Sequence, residues 1–453
     1  MSGYQGGTMN QMTDATWEIR DVLLPTGVRA TIRIQGKKIV AVGFTSLCDR
    51  YLDGSNLEIY PGFRNVHVHF RQPGWEYKET WATAVPAAIA GGYTLVCSMP
   101  NAKIQTTTLQ ALEDKIILVG DQPIDKRFWY GATKTNHADY KYLRSYAQCC
   151  GVKLYTSSTT GDMKIVEREI QRYVMATCAD ARVLLAIHAQ DEELRLRNLT
   201  RLQAQRELVI ADHCKIQDTE VELRAVIQAL ELQKETRCAI LLCHLSAPES
   251  LEAVDRARQA GQTGIYVETC PQYLFLNSDF LKGEFAAGFK CNPSLRSRKQ
   301  MKRMFELTCR PDIVDVISDD HAPHNLGQDK GIVRLRPLEI SPRPYDEVAS
   351  GLPGLQTTGL LVYNSMVASG KVSRFHFANL MSINAGRILG LPRPGIDVGA
   401  DADLVAIDPQ ARHVFRHYEM LSKAGYTPYD GFEGSGRIAF TVAQGALYGA
   451  ELK

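Results

Sequence analysis

From Pro61 onward, short apolar runs alternate with longer amphipathic stretches, and this alternation limits the possible folds more than any other feature of the chain. Such a rhythm is typical of parallel βα units. The clearest amphipathic stretches are Asp191–Arg206 and Thr219–Lys234. The candidate strands are Val66–Phe70, Tyr93–Met99, Arg127–Ala132, Gly151–Tyr155, Val183–His188, Cys238–His244, Thr263–Cys270 and Ile313–Asp319. About eight βα units in succession predict a (β/α)8 TIM-type barrel, which is an α/β fold.

Both ends of the chain have a different pattern, with short strands that alternate apolar and polar residues. Arg29–Ile34 and Lys38–Val42 are examples near the start, and Ala402–Ile407 and Arg437–Val442 near the end. We predict that the two terminal segments pair into one small β-sandwich-like domain beside the barrel. The expected boundaries are 1–60 for the N-terminal β segment, 61–390 for the barrel, and 391–453 for the segment that completes the small domain.

Composition excludes several classes of function. The chain has 453 residues, of which 45% are hydrophobic and 23% charged, as is ordinary for a soluble globular protein. A formal net charge of +2 gives no reason to expect nucleic acid or a membrane as the main partner. No apolar run is long enough to span a bilayer. The 11 cysteines follow no small-scaffold spacing, which fits reduced thiols and predicts a cytoplasmic protein.

Potential metal ligands stand at the ends of the predicted barrel strands. His67 and His69 share one face of the first strand, because side chains alternate along a strand. The fourth, fifth, sixth and eighth strands carry Lys153, His188, His244 and Asp320. Each residue alone also fits an ordinary role, such as a core histidine, a paired lysine or a capping aspartate. Their joint position at the functional face of a barrel predicts a metal site, since buried ionisable groups are costly unless paired or metal-bound.

At this point the chain resembles the amidohydrolase superfamily and, within it, the dihydroorotases of the larger bacterial and animal type. The resemblance covers about Pro61 to Gly434. It rests on the motifs His-Val-His-Phe-Arg-Gln-Pro-Gly (67–74), Ser-Met-Pro-Asn (98–101), Val-Lys-Leu-Tyr (152–155), Ile-His-Ala (187–189), Cys-His-Leu-Ser (243–246), Lys-Cys-Asn-Pro (290–293), Asp-His-Ala-Pro-His (320–324), Gly-Leu-Pro-Gly-Leu (351–355) and Thr-Pro-Tyr-Asp-Gly (427–431). A hydantoinase or allantoinase is not expected to combine Arg71, Asn101 and His324.

The resemblance implies a centre of two zinc ions. One ion is expected on His67, His69 and Asp320, and the other on His188 and His244. Lys153 is expected to bridge both as a carbamate (N6-carboxylysine). A carbamate is an anion with two oxygens, whereas a free lysine is a cation and repels metal. The resemblance also implies a bridging hydroxide as nucleophile, with Asp320 as the catalytic proton shuttle.

The implied reaction is the reversible cyclisation of N-carbamoyl-L-aspartate to L-dihydroorotate in pyrimidine biosynthesis. Arg71, Asn101 and His324 are expected to bind the carboxylate outside the ring. A guanidinium fork suits this task because it matches a carboxylate bidentately. Asn292 is expected to contact the ring amide edge, although Asn before Pro is also a plain turn signal. By family analogy we expect a homodimer. Association with other pyrimidine-synthesis enzymes is a further expectation that the sequence leaves open.

Two alternatives stay open: another cyclic amidase, of hydantoinase or allantoinase type, and a non-catalytic scaffold. The chain departs from the family pattern where acids are usual, and carries Asn65, Gln72, Gln190 and Gln356. Such changes near metal ligands typically weaken metal affinity or activity by roughly 10–100-fold. We expect the enzyme to remain active and the Asn65→Asp variant to be equally or more active.

Two further features leave their roles open. The loop Thr156–Gly161 is either a mobile lid over the site or a solvated turn. Cys243 and Glu268 could in principle hold an additional ion. Cys243 adjoins His244, so strand alternation predicts that its thiol points to the opposite face and is a buried structural group.

Overall fold

The computed structural model describes residues 16–43, 48–158 and 163–452. Its strands, in chain order, are β1 Thr16–Leu23, β2 Arg29–Gln35, β3 Lys38–Gly43, β4 Tyr51–Asp53, β5 Glu58–Pro61, β6 Phe63–Val68, β7 Tyr93–Ser98, β8 Asp125–Gly131, β9 Cys149–Tyr155, β10 Leu185–His188, β11 Ile240–Leu242, β12 Ile265–Thr269, β13 Val316–Ile317, β14 Ile332–Leu335, β15 Leu338–Ile340, β16 Leu404–Val414, β17 Glu433–Ala443 and β18 Ala446–Tyr448.

Strands β6 to β13 form one parallel sheet in strict chain order. A parallel bridge between Val68 and His321, with the amide of His69 donating to the His321 carbonyl at 2.8 Å, joins the last strand region to the first. All eight predicted strands are present, although the last is reduced to Val316–Ile317. The predicted TIM-type barrel is therefore confirmed.

The α-helices are α1 Trp81–Ala90, α2 Leu109–Val119, α3 Arg168–Ala181, α4 Glu192–Gln203, α5 His213–Ile216, α6 Thr219–Thr236, α7 Pro248–Gln259, α8 Pro271–Phe275, α9 Arg298–Thr308, α10 Leu326–Lys330, α11 Thr358–Val362, α12 Arg374–Ala378 and α13 Asn384–Ile388. Helices α4 and α6 are the two amphipathic stretches predicted from the sequence. Each begins after an N-capping aspartate: Asp191 accepts from the Leu194 amide and Asp218 from the Val221 amide.

The two chain ends build one eight-stranded sheet in the order β18-β17-β16-β5-β1-β2-β3, with β4 beside β1. The ends meet where β16 pairs antiparallel with β5, with Leu404 opposite Pro61. The prediction that the terminal segments pair is therefore confirmed. The boundary expected at residues 60–61 falls within the last two residues of β5, and we propose that the small domain and the barrel divide between the end of β5 at Pro61 and the start of β6 at Phe63.

The lid hypothesis falls partly outside the described residues, because 159–162 are not among them. Thr156 donates its hydroxyl to the His188 carbonyl at 2.9 Å, and Ser158 bonds Glu192 through its hydroxyl at 2.5 Å. The described start of the loop is thus tied to the next βα connection. All eleven cysteines are free thiols. Within the described ranges, no helix combines the length and apolar character that crossing a membrane requires.

Candidate metal centre

A cleft opens at the carboxyl ends of the barrel strands. Eight of the ten predicted site residues line it: His67, His69, Arg71, Asn101, His188, His244, Asn292 and Asp320. Of the other two, Lys153 is fully buried, and His324 lies 3.1 Å from the Arg71 guanidinium. The structure thus brings the predicted residues together at the barrel face where a TIM-type fold carries its site.

The first group of potential ligands converges on one carboxylate oxygen. Oδ1 of Asp320 lies 3.2 Å from Nε2 of His67 and 3.0 Å from Nε2 of His69. A tetrahedral zinc with bonds of about 2.0–2.1 Å separates its ligand atoms by about 3.3 Å. The donor set and its spacing therefore fit a zinc ion.

The second group consists of two facing imidazoles. Nδ1 of His188 lies 2.8 Å from Nε2 of His244. The His244 ring is also 5.2 Å from the His67 ring, measured between centroids, so the two groups are neighbours. Both atoms are donors of the kind that zinc binds, and in this structure they share a hydrogen bond.

Two outer hydrogen bonds select the ring nitrogens that face Asp320. Nδ1 of His67 lies 2.9 Å from a Glu268 oxygen, and Nδ1 of His69 lies 2.7 Å from the Asn101 oxygen. Both oxygens are acceptors, so each Nδ1 donates a proton to them and each Nε2 is the nitrogen that faces the candidate metal position. Sequence reasoning did not assign Glu268 this role. A fully buried acid within the apolar strand β12 was the available signal.

The electrostatics favour metal binding at three of the four histidines. Burial lowers the pKa of His69 to about 4 and that of His188 to about 3, and it holds the pKa of His244 well below its ordinary value. These imidazoles are neutral at pH 7, which is the form that binds metal. Burial also lowers the pKa of His67, but the adjacent Glu268 and Asp320 carboxylates outweigh it and raise that pKa to about 10.

Lys153 points at a thiol. Its Nζ lies 2.9 Å from Sγ of Cys243, and both side chains are buried. The expectation that Cys243 faces away from the site was therefore wrong. Strand β11 ends at Leu242, and His244 has a φ of 39°, so the alternation assumed from the sequence does not extend this far.

Three cleft residues have backbone angles that side chains other than glycine rarely adopt. Arg71 has a φ of 63°, His244 of 39° and Asp320 of 46°. Each follows the end of a barrel strand. Such conformations cost about 1–3 kcal/mol and persist only where the surroundings enforce them. Their grouping around one cleft supports a functional site.

The guanidinium of Arg71 and the imidazole of His324 lie next to each other beside the candidate metal ligands. Arg71 is only 3% exposed and donates Nε to the Pro323 carbonyl at 3.0 Å. Its Nη2 lies 3.1 Å from Nε2 of His324. Burial is the main cause that lowers the pKa of His324 well below its ordinary value, so this imidazole is neutral. The guanidinium, by contrast, stays charged at pH 7.

A chain of amides holds Asn292. Gln190 donates to the Gln217 oxygen at 3.2 Å, and Gln217 donates to the Asn292 oxygen at 2.9 Å. Gln190, one of the amides found where the family usually has an acid, thus serves as a donor. The role of Gln217 was not apparent from the sequence, because it depends on the meeting of two distant loops.

The other three amides have distinct partners. Gln72 accepts from the Trp81 amide at 3.3 Å. Gln356 donates to the Glu419 carbonyl at 2.9 Å and accepts from the Leu421 amide at 3.0 Å. Asn65 donates to Oδ1 of Asp319 at 2.5 Å while its own oxygen accepts from the His67 amide at 3.0 Å. Where the family usually has an acid at position 65, this chain has an amide that donates to the buried carboxylate of Asp319.

The Asn65–Asp319 bond changes what an acid at position 65 would do. Asn65→Asp would set two buried carboxylates against each other, so we expect a loss of about 2–4 kcal/mol in unfolding free energy at pH 7. The expectation of equal or higher activity for Asn65→Asp stays a separate prediction, which this stability cost opposes. The double exchange Asn65→Asp/Asp319→Asn restores one donor and one acceptor, and should recover stability to within about 1 kcal/mol. Chemical denaturation of both variants checks this; a single variant as stable as the parent would contradict the pairing.

Comparison with known proteins gives a consistent result. Residues 59–447 match the amidohydrolase family model. The chain is 30% identical over 419 residues to a dihydroorotase from Halobacterium salinarum, covering 92% of both proteins. It is 29% identical over 435 residues to an allantoinase from Salmonella newport, covering 91% of this chain and 90% of the relative.

Among solved structures, the L-hydantoinase (dihydropyrimidinase) from Arthrobacter aurescens superposes with a TM-score of 0.87 at 22% identity, covering 96% of this chain and 97% of the other. That similarity concerns the fold. The family match spans most of the chain, and the barrel carries potential metal ligands at its carboxyl face. The protein therefore belongs to the amidohydrolase family.

Proposed function

We propose that this protein is a dihydroorotase that interconverts N-carbamoyl-L-aspartate and L-dihydroorotate. One observation carries the choice among cyclic amidases: the buried guanidinium of Arg71 lines the cleft and lies 3.1 Å from Nε2 of His324. Dihydroorotate bears a carboxylate outside its ring, whereas the hydantoin and allantoin rings bear none. The name of the Halobacterium relative agrees with this choice.

The arrangement suits an anion for a simple reason. The guanidinium of Arg71 has donors only. When the proton of His324 is on Nε2, this nitrogen is a donor as well, so the two groups cannot satisfy each other. A carboxylate oxygen placed between them accepts from both. Charge-assisted hydrogen bonds of this kind are roughly twice as strong as neutral ones.

The residues present fit two zinc ions, with His67, His69 and Asp320 holding one and His188 and His244 the other. Lys153, carbamylated by carbon dioxide, is proposed to link them. Bound zinc supplies Lewis acidity and lowers the pKa of a coordinated water to about 7. The neutral imidazoles of His69, His188 and His244 and the ionised Asp320 are already in the protonation states that metal binding requires, whereas His67 has to give up a proton when metal binds.

Asp320 is proposed to move the proton in the reaction. Burial raises the pKa of this carboxyl, but His67 and His69 outweigh burial and hold it at about 2, so the group is a carboxylate at pH 7. During ring opening, water adds to the ring carbonyl carbon and gives a proton to Asp320. The carbon–nitrogen bond breaks and Asp320 delivers that proton to the departing nitrogen. Cyclisation is the reverse.

Asn292 is proposed to meet the amide edge of the ring. Its oxygen is occupied by Gln217, so its nitrogen remains to donate toward the cleft that it lines. Asn101 also lines the cleft, and its oxygen is bonded to His69. Asn101 thereby connects the expected carboxylate site with a metal ligand.

A substrate panel tests the proposal. The purified protein, supplied with zinc and bicarbonate, is assayed with L-dihydroorotate, dihydrouracil, hydantoin and allantoin. We expect the highest kcat/KM for L-dihydroorotate. A preference for allantoin would favour the function named for the Salmonella relative. No turnover of any ring, with no bound metal, would favour a scaffold. Homodimer formation, pathway association and a cytoplasmic location stay predictions.

Glu268→Gln is expected to weaken zinc binding by roughly 10–100-fold, because an amide orients His67 less firmly and removes a negative charge. Zinc affinity is measured by competition with a chelator. Glu252, which forms an exposed pair with Arg303, provides the matched control variant Glu252→Gln. Equal zinc affinity in both variants would contradict the role of Glu268.

A further inference from the structure

Lys78 is a buried lysine that the reaction described above does not use. It lies in the connection between β6 and α1 and is 8% exposed. Its Nζ lies 3.0 Å from Oδ1 of Asp329 and 3.1 Å from Nδ1 of His324. Lys78 therefore contacts the far side of the imidazole whose other nitrogen faces Arg71.

Two groups that can only donate face the imidazole of His324 at 3.1 Å, Lys78 at Nδ1 and Arg71 at Nε2. The carbonyl of Ser350 also lies 3.1 Å from Nε2 and can only accept, which favours a proton on Nε2. Lys78 favours the same tautomer, because an ammonium has three donors and no acceptor and needs an unprotonated Nδ1. Nδ1 of His324 is then unprotonated. Since this histidine is neutral, its proton resides on Nε2.

Asp329 pairs with Lys78 and does not itself accept a hydrogen bond from Nδ1 of His324. Its Oδ1 accepts from Tyr77 and Lys78, and its Oδ2 accepts from the Asn325 amide at 2.7 Å. Oδ2 lies 3.7 Å from Nδ1 of His324, beyond hydrogen-bond distance. Asp329 thus keeps a positive charge on Lys78 and leaves Nδ1 of His324 to the lysine.

Nε2 of His324 is consequently a donor at the cleft. It lies 3.1 Å from the carbonyl of Ser350, a residue of the cleft lining. The guanidinium of Arg71 stands at the same distance and cannot accept. An incoming anionic oxygen offers this N–H a stronger acceptor than the carbonyl does.

We propose that Lys78, held by Asp329, is a positioning residue that fixes His324 as an Nε2–H donor and so sets selectivity for cyclic amides with a carboxylate substituent. The inference rests on the proposed dihydroorotase function. It assigns specificity to a residue that does not line the cleft.

Lys78→Met removes the donor while keeping an unbranched side chain. We expect KM for L-dihydroorotate to rise about 10–100-fold, in line with the loss of one charge-assisted contact, and kcat to change less than threefold. Lys78→Arg should restore KM to within about fivefold of the parent. Lys103→Met, at an exposed lysine two residues from Asn101, is the control for lost charge and should leave KM unchanged.

The outcomes separate the two ideas. A parent protein that does not turn over L-dihydroorotate overturns the proposed function. A parent that does, with Lys78→Met equal to it or reduced only in kcat, overturns the role of Lys78 alone. If Lys78→Met does not fold, ¹⁵N NMR of the histidines in the parent decides, with His324 assigned by its loss in His324→Asn. An Nδ1 signal typical of an unprotonated acceptor supports the proposal, and a protonated Nδ1 overturns it.

Discussion

Asp320→Asn is expected to lower kcat by at least about a thousandfold while the fold is retained. An amide keeps the shape of the side chain but cannot accept the proton of the attacking water, and general acid–base catalysis contributes about 10²–10⁴-fold. The amide is also a poorer metal ligand than the carboxylate that lies 3.0 Å from His69. Steady-state kinetics with L-dihydroorotate, together with zinc content, measure both effects.

The matched control is Asp346→Asn, at an exposed position in the segment that follows β15. It removes the same charge away from the candidate ligands and should leave kcat unchanged. Asp320→Asn with zinc bound and activity within tenfold of the parent would contradict the proton-transfer role. Loss of both zinc and activity would identify Asp320 first as a ligand.

Arg71→Met should lower kcat/KM for L-dihydroorotate by about 10²–10³-fold. Removing one partner of a buried charged contact typically costs about 2–5 kcal/mol. Arg71→Lys should recover only part of this loss, because an ammonium is a point charge without the planar fork of a guanidinium. Kinetics and zinc content of both variants provide the test.

The Arg71 variants also bear on the choice of substrate. If Arg71 binds a carboxylate, any residual activity toward dihydrouracil should stay within about threefold of the parent, since that ring has no carboxylate. An equal loss for both substrates would show that Arg71 supports the cleft in general. Arg71 also donates to the Pro323 carbonyl, so thermal unfolding of the Arg71 variants measures how much the residue contributes to stability.

Local pattern was enough to predict the barrel and most of the residues that line its cleft. Apolar runs of strand length with regular spacing indicate βα units, and histidines such as His188 at the end of such a run stand out from their surroundings. The pairing of the chain ends also followed from matching strand patterns. These features depend on residues close together in sequence.

Other parts of the site depend on distant segments and could not be predicted. Glu268 reaches His67, and Lys78 reaches His324, only because the barrel brings their connections together. Cys243 was placed on the wrong face because alternation was extended past the end of β11. The partner of Asn65 is Asp319, which lies 254 residues further along the chain, and this contact adds a stability cost to an acid at position 65 that the sequence pattern did not reveal.

The most direct test of the account is whether the purified protein, loaded with zinc and bicarbonate, closes N-carbamoyl-L-aspartate to L-dihydroorotate. The product is quantified chromatographically against an authentic standard. The account predicts that L-dihydroorotate forms at mildly acidic pH and is opened again at alkaline pH, with both directions lost in Asp320→Asn. A zinc-loaded protein that leaves N-carbamoyl-L-aspartate unchanged but opens hydantoin or allantoin would contradict it.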